Sequence, residues 1–354
     1  MTGVTDTPTG RGAAASSPSA GAAPTAGARV RVPATSANLG PGFDAFGLAL
    51  GYYDEVEVAL RRDGVSVRVE GAEQVATGED NLVIRSIRAT LDELGRPQPG
   101  LAVRCVNRVP HGRGLGSSAA AIVAGVAAAW ALDTAAFLAG TDRPVPRGAA
   151  AFDRAAALRV ATAIEGHPDN VAAALFGGFT VAWADTDGPL AYRAEPVADL
   201  RPVAFVPSAR TSTAHSRGRL PEHVAHANAA FSAGRAGLLA LALTQGDAPP
   251  PAPAGLAGPP RADAAARARL LLAATEDRLH QPYRLPAVPE SAALIGRLRD
   301  AGVAAVLSGS GPTVLALALG GEQAAAAVGV AAPGFAVLPL AVDRDGVRVT
   351  PLVS

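Results

Sequence analysis

Pro110-His111-Gly112-Arg113-Gly114-Leu115-Gly116-Ser117-Ser118-Ala119-Ala120 is the stretch whose reading decides this chain. It follows an alternating apolar run, Leu101 to Val109, and precedes a long Ala-rich run that starts at Ser117. A strand, a turn with alternating glycines and a buried helix are expected in that order. Glycine allows the backbone to adopt positive φ and to approach an anion closely. The first turn of the helix has free N–H groups and a partial positive charge, which suits a phosphate. Ser117 and Ser118 add hydroxyls for phosphate or for a hard cation, and Arg113 adds a cation suited to phosphate. The glycine spacing is Gly-x-Gly-x-Gly, which is not the dinucleotide fingerprint. On spacing alone, an ordinary tight turn remains the alternative.

Composition narrows the chemistry. The sequence contains no lysine; all 31 of its basic residues are arginine. A Walker phosphate loop and a Schiff-base lysine are therefore excluded. Formal net charge is zero and aromatic residues make up 4% of the chain. Neither a basic field for nucleic acid nor a set of base-stacking platforms is present, and no nucleic-acid partner is expected. The single cysteine, Cys105, sits in the apolar run before the glycine turn, so a buried core thiol and a cytoplasmic location are expected.

With 354 residues, 49% of them hydrophobic, the chain has length for one large or two medium domains with a sizeable core. Residues 1–28 are mostly Ala, Gly, Pro, Ser and Thr without periodicity and read as a disordered tail. The run Leu115 to Leu132 is long enough to span a bilayer, but its Ala and Gly content favours a packed helix, and no membrane partner is expected.

Along the chain, strands are expected at Val30 to Ala34, Tyr52 to Leu60, Val65 to Glu70, Leu101 to Val109, Phe179 to Trp183, Arg201 to Val206, Val303 to Leu307, Thr313 to Leu319, Phe335 to Ala341 and Val347 to Leu352. Helices are expected at Asn81 to Leu94, Ser117 to Leu132, Ala151 to Ile164, from His167 onward, and at Val224 to Thr244, Ala264 to Leu279, Glu290 to Asp300 and Glu322 to Val330. Residues 247–260 are Pro- and Ala-rich and read as a flexible insert. The mixture lacks regular βαβ alternation, so an α+β fold with a two-domain split is favoured.

Pro110 to Ala120 resembles the ATP-binding motif of the galactokinase, homoserine kinase, mevalonate kinase and phosphomevalonate kinase (GHMP) superfamily. Ser308-Gly309-Ser310-Gly311-Pro312-Thr313 resembles its C-terminal glycine loop. Pro33-Ala34-Thr35-Ser36-Ala37-Asn38-Leu39-Gly40-Pro41-Gly42-Phe43-Asp44 is similar to the N-terminal motif of its homoserine kinase members. Glu165-Gly166-His167-Pro168-Asp169-Asn170 and Asp277-Arg278-Leu279-His280-Gln281-Pro282-Tyr283-Arg284 fit those members too.

The resemblance implies an N-terminal ATP-binding lobe over 29–197, like the second domain of ribosomal protein S5, and a ferredoxin-like C-terminal lobe over 198–354. It implies Mg²⁺-dependent transfer of the γ-phosphoryl group of ATP to the hydroxyl of L-homoserine, in threonine biosynthesis. ATP would lie on Pro110 to Ala120. Mg²⁺ would be held by Glu165 and a loop serine, Ser118 in preference to Ser117. Asn38, Asp44, His167, Asn170, Arg217 and Arg284 would line the homoserine site, with Asp44 on the α-ammonium and the arginines on the α-carboxylate. Glu165, Thr213 and Arg217 would act at the reacting groups. Two departures are visible: a single glycine separates Glu165 from His167, where some relatives have several more residues, and Arg108 stands where members often carry lysine.

Each residue also has an ordinary reading. Asn38 and Asp44 are turn formers, His167 to Asn170 suits a helix start, and arginines usually sit on surfaces. His111, His215, His223, His226 and His280 show no ligand spacing and read as solvated or loop residues. A kinase for another acceptor, a non-catalytic ligand sensor on the same fold and an RNA-binding protein are the rival functions. The oligomeric state is left open, a homodimer among the options.

Overall fold

The computed structural model describes residues 27–71, 75–140, 152–209, 216–245 and 264–352. The expected tail over 1–28 lies outside these except for Gly27 and Ala28, which are paired strand residues, and the 247–260 insert lies outside them entirely.

Two sheets organise the described chain. The first holds β1 (Gly27–Ala37), β2 (Phe46–Arg61), β3 (Val65–Glu70), β4 (Gly100–Val106), β5 (Phe179–Asp185) and β6 (Gly188–Ala194), and is closed by the last strand, β11 (Arg348–Leu352), against β1. β2 is long enough to serve two partners on one edge: Phe46 to Leu48 pair with β5, and Glu55 to Arg61 pair with β4. On its other edge it pairs with β1 throughout, with a register shift after Pro33, which has no N–H to give the ladder. β3 and β4 are parallel, joined by the crossover helix α1 (Leu82–Glu93), which Asn81 caps by accepting the Val83 N–H at 2.9 Å.

Helix α2 (Ser117–Gly140) leads directly out of the glycine turn. It is apolar all round through Leu132 and buried among α1, α3 (Arg154–Glu165), α4 (Asp169–Phe176) and the sheet. Its small residues allow close approach; a Cβ on Gly125 would lie 2.5 Å from the Val83 carbonyl of α1. No described helix is long and apolar enough to cross a membrane.

The second sheet is wholly antiparallel, in the order β10 (Phe335–Pro339), β7 (Leu200–Pro207), β9 (Val314–Leu319), β8 (Ala304–Leu307). Helices α5 (His226–Thr244), α6 (Ala264–Ala274), the short α7 (Gln281–Arg284) and α8 (Pro289–Asp300) connect β7 to β8, and α9 (Gly320–Gly329) connects β9 to β10. Strand order fourth-first-third-second with this connectivity is the ferredoxin-like arrangement. Both faces are covered, so the strands read as almost unbroken apolar runs. Val203 and Phe205 face α8 and α9, whereas Ala204 and Val206 face α5, α6 and the loop side of the first sheet. The second of these cores is shared: Leu39, Leu48, Leu115 and Phe179 from the first lobe pack with Leu239, Leu271, Val306 and Leu315 from the second. The fold is thus a mixed α+β architecture built on two sheets, as the resemblance implies.

Most expected elements are present, with longer first strands than their apolar cores alone indicate. Edge strand β6 was not foreseen, and α6 ends at Ala274, five residues before the expected Leu279. The stretch expected in the second lobe also gives its last strand to the first sheet. Asp343 secures that return. Its buried carboxylate accepts from Tyr53 Oη (3.0 Å), Asp345 N (3.1 Å) and Gly346 N (2.7 Å). Removing it strands three donors. Asp343→Ala is expected to lower unfolding free energy by about 3 kcal/mol, read as a fall in the urea midpoint.

Candidate active site

Three loops from both sheets meet backbone to backbone. The first leaves β1 at Ala37 and carries Asn38, Leu39 and Asp44 at positive φ (69°, 47° and 56°). These are costly conformations for residues with a Cβ, least so for Asn and Asp. The Asn38 side chain compensates: its amide nitrogen donates to the Gly309 carbonyl (3.0 Å) and its oxygen accepts the Asp44 N–H (2.9 Å). The second loop is the glycine turn, with Gly112, Gly114 and Gly116 all at positive φ. The third is 308–313, which contains a cis Gly311–Pro312 bond. Ser308 Oγ donates to the Gly114 carbonyl (2.5 Å) and lies 2.8 Å from Ser36 Oγ. Gly309 N donates to Ala37 O, Thr35 N to Leu115 O and Thr313 N to Arg113 O.

A cleft of about 230 Å³ lies where these loops meet. Ser117 and Ser118 open α2 at its floor, and Glu165 closes α3 opposite them. Gly166, left-handed at φ 93°, turns the chain back immediately after Glu165. Ser118 Oγ donates to Glu165 Oε2 at 2.7 Å. Burial raises the Glu165 carboxyl above the usual range, and the Ser118 hydrogen bond opposes that. One carboxylate and one hydroxyl facing the glycine turn are hard oxygen donors, a set that suits Mg²⁺ when phosphate oxygens and water complete it. Among the described residues no cluster of three or more His, Cys, Asp or Glu could hold a metal by itself.

The remaining candidates line the other end. Asp44 makes a two-pronged ion pair with Arg217, at 2.8 and 2.9 Å. Phe43 lies between two cations, with its ring centre 5.7 Å from the Arg217 guanidinium and 5.3 Å from that of Arg284. Arg284 is 3% exposed, and its Nε has no partner among the described residues. His167 Nδ1 lies 2.9 Å from Asp169 Oδ1, and this contact raises the imidazole pKa against the effect of burial. Thr35 Oγ1 donates to Asn170 Oδ1 at 2.8 Å. Ser216, next to Arg217, is pinned to the Ser310 carbonyl. Thr213 lies outside the described residues.

Arg113, expected as a phosphate cation, also reaches across to the second sheet. Its guanidinium donates to the carbonyls of Pro207 (3.0 Å) and Ser208 (3.1 Å), tying the glycine turn to the end of β7. Arg108 pairs with Glu55, while its N–H and that of Val109 bind the buried Asp54. His280, expected to be solvated or in a loop, is fully buried beneath Phe43 and Arg284. The local signal for it was its place in the Asp277 to Arg284 motif, four residues before Arg284. His223 and His226 are exposed, as expected; His215 lies outside the described residues. A second cavity, of about 340 Å³, lies behind Ser117 and Ser118 against Asn81, Val83, Cys105 and His111. Nothing in the sequence pattern announced it, because its walls come from α1, β4 and α2. Cys105 there is buried, its thiol pushed up to about 11 by desolvation.

Residues 81–178 match the family model of the GHMP kinases N terminal domain, and residues 260–332 that of the GHMP kinases C terminal domain. A homoserine kinase of Streptomyces coelicolor is 48% identical over 331 residues, spanning 93% of this chain and 96% of the relative. The crystal structure of homoserine kinase from Cytophaga hutchinsonii superposes with a TM-score of 0.72 at 27% identity, covering 92% of this chain and 97% of that one. L. major mevalonate kinase, at 16% identity and TM-score 0.60 over 92% of this chain and 97% of that one, shares the fold.

Two outcomes follow from this geometry. A Cβ on Gly116 would lie 1.9 Å from Thr35 Oγ1 in a backbone at φ 69°. Gly116→Ala is expected to lower kcat/KM by about 10²-fold or more through misplacement of the loop, measured by steady-state kinetics. His280 is held neutral by burial, its pKa well below the usual histidine value. The unfolded chain therefore binds a proton that the folded chain refuses. Stability is full above about pH 6.5 and falls as pH drops below it, by at most about 1.4 kcal/mol per pH unit from this group. Urea midpoints between pH 7 and 5 should show that slope, and His280→Gln should flatten it.

Proposed function

The chain belongs to the homoserine kinases of the GHMP kinase family, and on that premise we propose how its residues divide the work. The enzyme transfers the γ-phosphoryl group of ATP to the side-chain hydroxyl of L-homoserine, forming O-phospho-L-homoserine for threonine biosynthesis. The bond formed joins phosphorus to the homoserine oxygen, and the bond broken joins the γ-phosphorus to the βγ-bridging oxygen. The hydroxyl proton leaves to the phosphoryl oxygens or solvent. Such transfer asks mainly for positioning and for charge stabilisation.

We assign the triphosphate to Pro110 to Ala120, where the N–H groups of the glycine turn and the start of α2 offer donors and a partial positive charge. The base is assigned to the cavity at Asn81, Val83 and Cys105. Ser118 and Glu165 are assigned as the protein ligands of Mg²⁺, supported by their 2.7 Å contact. Mg²⁺, when bound, neutralises charge on the β- and γ-phosphates. Since lysine is absent from the sequence, any further side-chain cation must be arginine.

The observation that carries the substrate assignment is the Asp44–Arg217 pair beside the buried Arg284. A zwitterionic amino acid is the ligand that satisfies both signs at once. Its ammonium takes Asp44 and its carboxylate takes Arg217 and Arg284, so one ion pair is exchanged for three. A ligand with only one of the charges would leave the other partner unpaired in a half-buried site. Asn38 holds Asp44 in place through its N–H; Asn170 and His167 line the same wall, His167 held by Asp169 through Nδ1. Thr213 is assigned near the accepting hydroxyl from the motif alone. No side chain is assigned as a strong base, because Asp44 is committed to the charge pair. With its one thiol buried, the protein is assigned to the cytoplasm.

An ADP-release assay with MgATP and a panel of hydroxyl acceptors tests the acceptor; turnover of mevalonate or a sugar in place of homoserine would sink it. Asp44→Asn should raise KM for homoserine about tenfold or more with little change in kcat. Loss of kcat at unchanged KM would instead make Asp44 a chemical participant.

A further inference from the structure

His280 stands at the start of the short helix that carries Arg284, and it is fully buried. Asp277 accepts the N–H groups of Leu279 (2.7 Å), His280 (3.0 Å) and Gln281 (2.8 Å), while Gln281 Oε1 accepts the N–H of Leu307 at the end of β8. His280 Nε2 lies 2.8 Å from the carbonyl of Gly40, which can only accept, so Nε2 carries the proton. Nδ1 is then an acceptor, and Arg284 Nη1 lies 3.2 Å from it. The same Nη1 donates to the Gly309 carbonyl at 3.2 Å. Among the described residues both hydrogen bonds of the guanidinium therefore fall on one nitrogen, and Nε is left buried without a partner. Phe43 stacks on the imidazole at 5.3 Å and packs against the guanidinium.

We propose that His280 is a positioning residue that aims Arg284 at the α-carboxylate of the substrate without neutralising it, while its other nitrogen fastens the Asp44 loop through Gly40. A carboxylate in this place would also orient Arg284, but it would pair with the charge meant for the ligand. A neutral imidazole orients and leaves the charge free. The low proton affinity that burial imposes on His280 is consistent with that duty. One side chain thereby ties the part of the site assigned to the carboxylate to the loop assigned to the ammonium, which lie in different lobes.

The inference rests on the assignment of Arg284 to the carboxylate, and the test separates the two. KM for homoserine, KM for MgATP, kcat and the urea midpoint are measured for wild type, His280→Gln, His280→Asn and Arg284→Lys. Glutamine keeps a donor near Nε2 for Gly40 and loses the acceptor for Arg284. His280→Gln should raise KM for homoserine about tenfold, with kcat and KM for MgATP within about twofold of wild type. Asparagine puts an amide oxygen near Nδ1 and loses the Gly40 contact. His280→Asn should return KM for homoserine to within about threefold of wild type and lower the urea midpoint. An unchanged KM in His280→Gln, no recovery in His280→Asn, or equal losses of kcat, both KM values and folding in the two variants would overturn the proposal. An unchanged KM for homoserine in Arg284→Lys would overturn the carboxylate assignment beneath it.

Discussion

The close approach of Gly114 to the 308–311 turn is the contact on which the rest of the site depends. A Cβ on Gly114 would lie 2.3 Å from the Ser308 carbonyl oxygen and 3.0 Å from that of Gly311. No other residue leaves room there, and the left-handed backbone at φ 81° favours glycine as well. Because the two turns touch directly, Ser308 can bond Gly114 and Ser36 together, and Gly309 can receive both Asn38 and Arg284. A cradle assigned to phosphate in one lobe is thereby set against an arginine from the other with little slack.

The shared apolar core makes that contact durable. Leu39 and Leu115 are buried within the first and second loops, and Val306 sits just before the third; all lie in the same cluster. The loops are thus the polar rim of a packed interior, and their strained residues are held by what lies beneath them. Asn38, Leu39 and Asp44 adopt positive φ in an otherwise ordinary chain, and the loop that accepts this strain is the one assigned to the amino-acid end of the substrate. Polar contacts then fix side-chain direction: Asn38 on Asp44, Thr35 on Asn170, Asp169 on His167, and His280 on Arg284.

Charge in the site follows one economy. With no lysine in the sequence, planar guanidinium groups take the cationic roles, and they are used differently. Arg113 donates to the carbonyls of Pro207 and Ser208 and serves as a brace. Arg217 is paired with Asp44 and partly exposed. Arg284 is buried, and burial presses against its charge. The three look alike as letters in a sequence; what distinguishes them is which acceptors the fold brings within reach.

The sequence by itself determined the strand, glycine turn and helix at Leu101 to Leu132, the α+β class and the family. These are matters of local period, glycine placement and motif order, which need no partner to be read. Its apolar runs also announced both sheets, except for edge strand β6, whose seven residues include a proline and mix exposed with half-buried positions. Only the tertiary structure decided that β11 returns to β1, that Arg113 reaches the end of β7, that a second cavity lies behind α2, and that His280 is a core residue beside Arg284. Each of these depends on a hydrogen-bonding partner or wall from a distant part of the chain: Gly40 lies 240 residues from His280, and Pro207 lies 94 from Arg113. A donor's direction is set by the acceptor it finds, and that acceptor exists at the site only once both lobes are folded together.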